Sequence, residues 1–326
     1  IGIALGLVFA ICYIIIAAYM DSTIHGKNEI MACFNIPIIG NIPMSEKEEQ
    51  EKKKHRLFGK KKDNFDIFGR NLVINEKTPF AITEAYKKAR TNVFYLPIEG
   101  NCHKIVLTSA LAAEGKTVAS INITKLLAQA GKRVLLIDAD MRNPKVSRYL
   151  GLDEQAGLSE YLAGICPVAE VLQNDAIGAD VIVSGKSSSS AAELLATARM
   201  DLLLEEKEND YDYIIIDTPP INIVTDSLIL ADKVNGYLIG VRAEYSNTVS
   251  LKQAVTSLEQ VDANILGVIL INTDPKVEEY GQYGAYSKYH AYRYNYNNDY
   301  NPAEFNENSA TGENNKKNRN RYERRS

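Results

Sequence analysis

Tryptophan is absent from this 326-residue chain, and cysteine and histidine occur only four times each. Cys12, Cys33, Cys102 and Cys166 stand far apart and make no C-x-x-C pair. That spacing excludes a disulfide framework or a cysteine-based zinc site and suits a reducing compartment. His25, His55, His103 and His290 are equally scattered and read as surface residues, so no metal centre is expected of them. An excess of charge of one sign is lacking as well, with 37 basic against 41 acidic residues. The net charge is −4, and the basic residues gather in two runs rather than along one face, which excludes a general nucleic-acid binder. Neither an internal repeat nor a second core is visible. With 45% hydrophobic residues the chain has enough for one good-sized α/β domain plus attachments, and two folded domains would be a tight fit.

What is present begins with an apolar run. Residues Ile1 to Met20 carry no charge, and Asp21 is the first. About 20 such positions cross the ~30 Å hydrocarbon layer as a helix. The run has no basic leader and small-residue cleavage site, as a signal peptide would, and no polar stripe, as a buried core helix would. A transmembrane helix over residues 1–20 is therefore expected, in a chain that starts with Ile and reads as the C-terminal part of a longer protein. Lys47, Lys52, Lys53, Lys54, Arg56, Lys60, Lys61 and Lys62 follow. By the positive-inside rule they place everything downstream in the cytoplasm, where they suit anionic lipid at about 1 kcal/mol per basic residue. The segment Asn35–Pro43 carries two prolines and is expected to be an extended, short connector.

From His103 onward, short apolar runs alternate with longer amphipathic stretches, the pattern of a parallel sheet flanked by helices. Strands are predicted over 104–109, 133–138, 180–184, 213–217, 236–242 and 265–272, and helices over 116–130, 191–206, 226–231 and 247–260.

The first strand runs into Ala110-Leu-Ala-Ala-Glu-Gly-Lys-Thr117, with a helix after it, which is the setting of a P-loop. Backbone N–H groups of the loop and the helix start would hold phosphates, Lys116 would reach the β- and γ-phosphates, and the Thr117 hydroxyl would bind Mg²⁺. The second G-K-S, at Gly185–Ser187, has Asp180 where a small residue is required and reads as a polar loop. Two more strand ends carry acids: Val134-Leu-Leu-Ile-Asp138-Ala-Asp140-Met-Arg142 and Tyr213-Ile-Ile-Ile-Asp217. Ligands of open α/β sheets bind beyond the carboxyl ends of the strands, so Asp138, Asp140 and Asp217 should converge on the nucleotide.

With these motifs the chain resembles the BY-kinases, bacterial tyrosine kinases of capsule and exopolysaccharide export related to the MinD/ParA class of P-loop ATPases. The resemblance rests on the Walker A loop at 110–117, the Walker A′ segment Leu136–Pro144, the Walker B segment Ile214–Pro220 and the upstream Glu84-x-x-Lys87-x-x-Arg90. The start of the chain looks like the end of a Wzz-type chain-length-determinant module, whose juxtamembrane stretch activates the kinase. The implied layout is a transmembrane helix at 1–20, an activator segment and basic linker at 21–75, a P-loop kinase domain at 76–275 and a disordered tyrosine-rich tail at 276–326.

The resemblance also implies roles for residues. ATP would be held by Ala112, Ala113, Glu114, Gly115, Lys116, Thr117, Val118, Arg142 and Asn272. Thr117, Asp140 and Asp217 would bind Mg²⁺ or its water shell, and Asp138 is the preferred base, although the acids are interchangeable at this point. A carboxylate and Mg²⁺ are needed because a tyrosine hydroxyl has a pKa near 10. Glu84, Lys87 and Arg90 match the family's E-x-x-R-x-x-R helix, a subunit contact in ring-shaped oligomers, with Lys87 in place of an arginine. Ala112-Ala113 stands where the family has Pro-Gly, and Asn272 lies one residue after the expected adenine-contacting position.

In the tail, Tyr280, Tyr283, Tyr286, Tyr289, Tyr292, Tyr294, Tyr296 and Tyr300 lack an apolar partner face and look like the family's phosphoacceptor cluster. The implied partners are further copies of the chain in a ring, the membrane, polysaccharide polymerisation and export machinery and a cognate tyrosine phosphatase, with no nucleic acid. An ATPase switch of the MinD/ParA kind would carry a signature lysine early in the P-loop, where this chain has Leu111. A non-catalytic assembly partner would bind nucleotide without making phosphotyrosine.

Overall fold

The structure, a computed structural model, describes residues 6–7, 9–13, 15–16, 21–44, 73–153, 156–174 and 177–274. The basic run at 47–62 and the whole tyrosine cluster lie outside these residues.

Helix α1 (Lys27–Cys33) and strand β1 (Ile38–Pro43) come first, then α2 (Phe80–Phe94), β2 (His103–Ser109), α3 (Lys116–Gln129) and β3 (Val134–Asp138). Three short helices follow, α4 (Val146–Leu150), α5 (Leu158–Leu162) and α6 (Val168–Val171), with β4 (Leu172–Gln173) and β5 (Asp180–Ile182). Helices α7 (Ala191–Leu195) and α8 (Ala198–Glu208) lead to β6 (Tyr213–Asp217), a 3-10 turn (Asp226–Leu230), β7 (Gly236–Arg242), α9 (Thr248–Glu259) and β8 (Ile265–Thr273). The strands form one sheet in the order β1-β8-β7-β2-β6-β3-β5-β4. Every pair is parallel except β4 with β5. Strands such as Tyr-Ile-Ile-Ile-Asp on β6 are apolar without alternation because helices cover both faces of the sheet. Ile105, Leu136 and Ile215 pack with α2 and α3 on one face, while Val106, Ile137 and Ile216 pack with α8 and α9 on the other.

The six predicted strands are all present. The segment with two prolines is a correction: it is not only a connector, because β1 adds a parallel edge strand to β8. Its prolines fit because Pro43 ends the strand and Pro37 lies just before it, at the edge where a missing N–H is tolerated. Gly40 lets α2 lie close, since a Cβ there would come within 2.9 Å of the Ala89 Cβ. The single helix expected over 191–206 is broken at Thr197, whose extended backbone starts α8 and whose hydroxyl donates to the Leu194 carbonyl at 2.7 Å. The helix expected over 226–231 is the 3-10 turn. His103 is a partly buried residue, not a surface one, with its ring edge against Tyr213 at 5.0 Å between centroids.

The described residues between 6 and 16 are helical, and Leu7, Phe9, Ile11, Tyr13, Ile15 and Ile16 are exposed. Among the described residues no helix is long and apolar enough to cross a membrane.

Candidate active site

Strands β2, β6 and β3 are neighbours, and their register sets Asp217 opposite both Leu107 and Asp138. Their carboxyl ends therefore finish at one level, and the residues that follow share one edge of the sheet. Ser109 closes β2, the loop 110–115 turns back, and α3 begins at Lys116 from Gly115 in the left-handed conformation (φ 88°). Here glycine is needed for the backbone and for space: a Cβ would meet Ile271 Cδ1 at 3.2 Å.

Lys116 is the hub of the site. Its Nζ donates to Asp140 Oδ2 at 2.9 Å, lies 3.7 Å from Asp217 Oδ2 and is 3.4 Å from the Thr117 hydroxyl. Burial by itself would lower the lysine's pKa, but Asp217 and Asp140 outweigh it and hold the ammonium above its ordinary range. Asp138 is fully buried and accepts from the Asp140 N–H at 3.1 Å, the Val146 N–H at 3.1 Å and the Lys145 N–H at 3.3 Å. Burial, with the like charges of Asp217 and Asp140, pushes its carboxyl up to about 8. Asp217 is raised by burial too, against the pull of Lys116 and of the neighbouring Thr117 and Ser120 hydroxyls. The Ser120 hydroxyl lies 3.0 Å from Asp217 Oδ1, while Asp217 Oδ2 is buried without a hydrogen-bond donor. Lys116, Thr117, Asp138, Asp140 and Asp217 are thus brought together.

A cleft of about 440 Å³, counted with its open mouth, lies beside the P-loop. Pro43, Tyr86, Glu114, Gly115, Val118, Arg242, Ile271 and Asn272 are among its lining residues. Asn272 is almost buried and takes a left-handed conformation (φ 61°), which an asparagine tolerates better than most residues. Arg142 sits elsewhere: its guanidinium makes a fork of two bonds to Asp226. Glu84, Lys87 and Arg90 lie on α2, and none of them lines the cleft. Lys87 Nζ bonds Glu84 Oε1 at 2.7 Å with both side chains part-exposed, and the Arg90 guanidinium lies 5.7 Å from the Phe94 ring centroid.

Several site residues escaped the motif reading. Ser120, Arg242 and Ser246 belong to no phosphate or acid signature, and only the fold brings them to the site. The helical spacing of Ser120, four residues after Lys116, was the one available hint.

A family model described as AAA domain matches residues 103–271. The tyrosine-protein kinase CpsD of Streptococcus agalactiae is 35% identical over 210 residues, 63% of this chain and 90% of that protein. The tyrosine-protein kinase wzc of Salmonella typhi is 30% identical over 289 residues, 87% of this chain and 39% of that protein. Two Ralstonia relatives are each 32% identical, and the chain spans 30% and 28% of their lengths. The solved kinase domain of the Escherichia coli tyrosine kinase ETK is similar at a TM-score of 0.62 and 28% identity, over 74% of this chain and 92% of that one.

Proposed function

The chain belongs to the bacterial tyrosine-protein kinases, and from that premise we propose that it is an ATP-dependent protein tyrosine autokinase. One observation carries this reading: a single ammonium, Lys116, faces three buried carboxylates at the mouth of a P-loop, and one oxygen of Asp217 has no donor. Three carboxyls stand against one ammonium, two of them pushed toward the protonated form by burial and like charge, so the donor set suits a divalent cation that arrives with nucleotide phosphates and displaces the protons. Mg²⁺ bound with ATP supplies neutralisation of the charge on the transferred phosphoryl group.

In this reading the loop 112–118 holds the phosphates, Lys116 turns from Asp140 toward them, and Thr117, Asp140 and Asp217 hold the cation. Asp138 takes the proton of the incoming tyrosine hydroxyl. Its carboxyl, near 8 when the chain alone surrounds it, becomes an effective base only when further positive charge enters the cluster. The nucleotide base occupies the cleft lined by Tyr86, Ile271 and Asn272. Arg142 reaches a phosphate only by releasing Asp226.

The wider assignment is part of the same proposal. Residues 1–20 form a transmembrane helix, the last of a Wzz-type module, and the exposed apolar side chains between 7 and 16 support it. The kinase domain faces the cytoplasm, and Glu84, Lys87 and Arg90 contact a neighbouring subunit in a ring. The tail tyrosines Tyr280 to Tyr300 are the phosphoacceptors, a cognate phosphatase reverses the reaction, and the cycle regulates capsule or exopolysaccharide polymerisation and export.

The test is an anti-phosphotyrosine blot of the purified protein incubated with ATP and Mg²⁺, beside Lys116→Met. Signal that needs ATP and vanishes in the variant is expected. A folded wild-type protein that hydrolyses or binds ATP without phosphotyrosine overturns the kinase assignment.

A further inference from the structure

The Glu114 side chain, almost completely buried, ties the P-loop to the far end of the domain. One carboxylate oxygen accepts from the Leu111 N–H at 2.6 Å, closing the turn from 111 to 114. The other accepts from the Ser246 hydroxyl. Ser246 Oγ accepts in turn from the Arg242 N–H at 2.8 Å, and the Arg242 guanidinium donates to the Ala113 carbonyl at 3.2 Å. Two contacts thus run to this turn, one from the last residue of β7 and one from the loop after it.

The turn needs outside support. Ala113 sits at φ 62°, a left-handed conformation that a residue with a Cβ resists. Burial pushes the Glu114 carboxyl up to about 7, opposed by the donors from Ser246 and Leu111 that favour its charged form.

The loop after β7 is itself held from its other side. Ile24 N–H donates to the Ser246 carbonyl at 2.8 Å, Glu244 N–H to the Ile24 carbonyl at 2.7 Å, and Thr248 N–H to the Ser22 carbonyl at 2.9 Å. Thr23 pairs antiparallel with Asn247, and the Ile24 side chain is fully buried in the core. The segment before α1 is therefore stitched to the residue whose hydroxyl reaches Glu114.

We propose that Ser246 and Glu114 are positioning residues for nucleotide binding: their bond holds the glycine-poor turn 111–114 in its phosphate-ready shape, and docking of Ser22–Ile24 fixes Ser246 for that task. The proposal rests on the reading of 110–117 as a phosphate-binding loop. Neither side chain touches the reacting atoms. Loosening the strut should weaken nucleotide affinity and raise the KM for ATP, leaving kcat at saturating ATP nearly unchanged.

The experiment titrates the 326-residue chain in detergent with a fluorescent N-methylanthraniloyl-ADP and Mg²⁺, and measures autophosphorylation against ATP concentration. Ser246→Ala and Ile24→Pro, which removes the donor to the Ser246 carbonyl, should each weaken binding about tenfold. The double variant should bind no worse than the weaker single one, because both act through one strut. Ser246→Thr, which restores the hydroxyl, should recover most of the affinity. Lys116→Met separates the two layers of inference. If Lys116→Met binds nucleotide like wild type, the phosphate-loop reading fails. If it loses binding while folded Ser246→Ala binds like wild type, the loop reading stands and the strut is wrong. Additive effects in the double variant would overturn the link to Ser22–Ile24. Should Ser246→Ala fail to fold, Ile24→Pro decides: wild-type affinity in that variant, with the Glu244 and Thr248 amides shown by hydrogen exchange to have lost their protection, also overturns the proposal.

Discussion

Arg142 grips both carboxylate oxygens of Asp226, Nε to Oδ2 at 2.7 Å and Nη2 to Oδ1 at 3.0 Å. Asp226 is fully buried at the start of the 3-10 turn, so this fork joins the residues just after β3 to those after β6. Truncating Asp226 leaves the arginine without its partner. Asp226→Ala should cost about 2–3 kcal/mol by chemical denaturation, the range for a charged hydrogen-bonded pair that is only partly desolvated. Nucleotide affinity should change little. A gain in affinity would instead identify Arg142 as a phosphate ligand that Asp226 restrains.

Ala113 holds a backbone conformation that favours glycine, at φ 62°. Ala113→Gly relieves about 1 kcal/mol of strain but gives back part of it as unfolded-chain entropy, so the net gain should lie between about 0 and 1 kcal/mol. Ala113→Val places a β-branched residue at positive φ and should cost about 2 kcal/mol. Equal denaturation midpoints for the alanine and valine proteins would refute the strained turn.

Glu114 gives the stability a pH dependence of definite sign. An unfolded glutamate titrates near 4.3, whereas burial in the folded protein pushes Glu114 up to about 7 despite the Ser246 and Leu111 donors. Between those values the folded chain holds a proton that the unfolded chain has lost, so this group makes stability fall as pH rises. Glu114→Gln should therefore flatten the decline of Tm between about pH 4 and 7. An unchanged slope would show that Glu114 does not carry it.

The strands were legible because β2, β3, β6, β7 and β8 are short apolar runs closed by turn or acid residues, and burial on both faces removes any competing period. Lys116 and the three aspartates were legible for a related reason, since a parallel sheet sends every strand's carboxyl end to one edge. Helices α4 to α6 were not, because four or five residues show no helical period. Strand β1 was hidden by its prolines, which mark extended chain without saying what it pairs with. Ser246 lies 132 residues from Glu114, and no local pattern encodes such a contact.

The first 44 residues should be needed for full activity. Ile24, Ile30, Ile39 and Ile42 are buried in the two core clusters, and β1 covers the edge of β8. A fragment starting at Asn75 would expose that edge and lose the stitch to Ser246, so its autophosphorylation should fall several-fold and its Tm should drop. A fragment from Asn75 that matches the full chain in both would refute the requirement.

The final prediction concerns where phosphate goes. Tyr280, Tyr283, Tyr286, Tyr289, Tyr292, Tyr294, Tyr296 and Tyr300 all follow the last strand, which ends at Thr273. In the proposed ring each subunit presents its tail to a neighbour's Asp138, so labelling should occur in trans. Each phosphate adds about −1.5 to −2 charge, and eight would add about −12 to −16, enough repulsion to loosen the ring. Lys116→Met protein with its tail is to be mixed with active protein truncated after Asp274, and phosphotyrosine mapped by mass spectrometry. The inactive protein's tail should carry phosphate at several of these positions, and the oligomer should shrink on a sizing column as labelling proceeds. If that tail stays unmodified while the intact wild type labels itself, transfer between subunits is wrong. If it is labelled without any change in oligomer size, the kinase reading survives and the release switch does not.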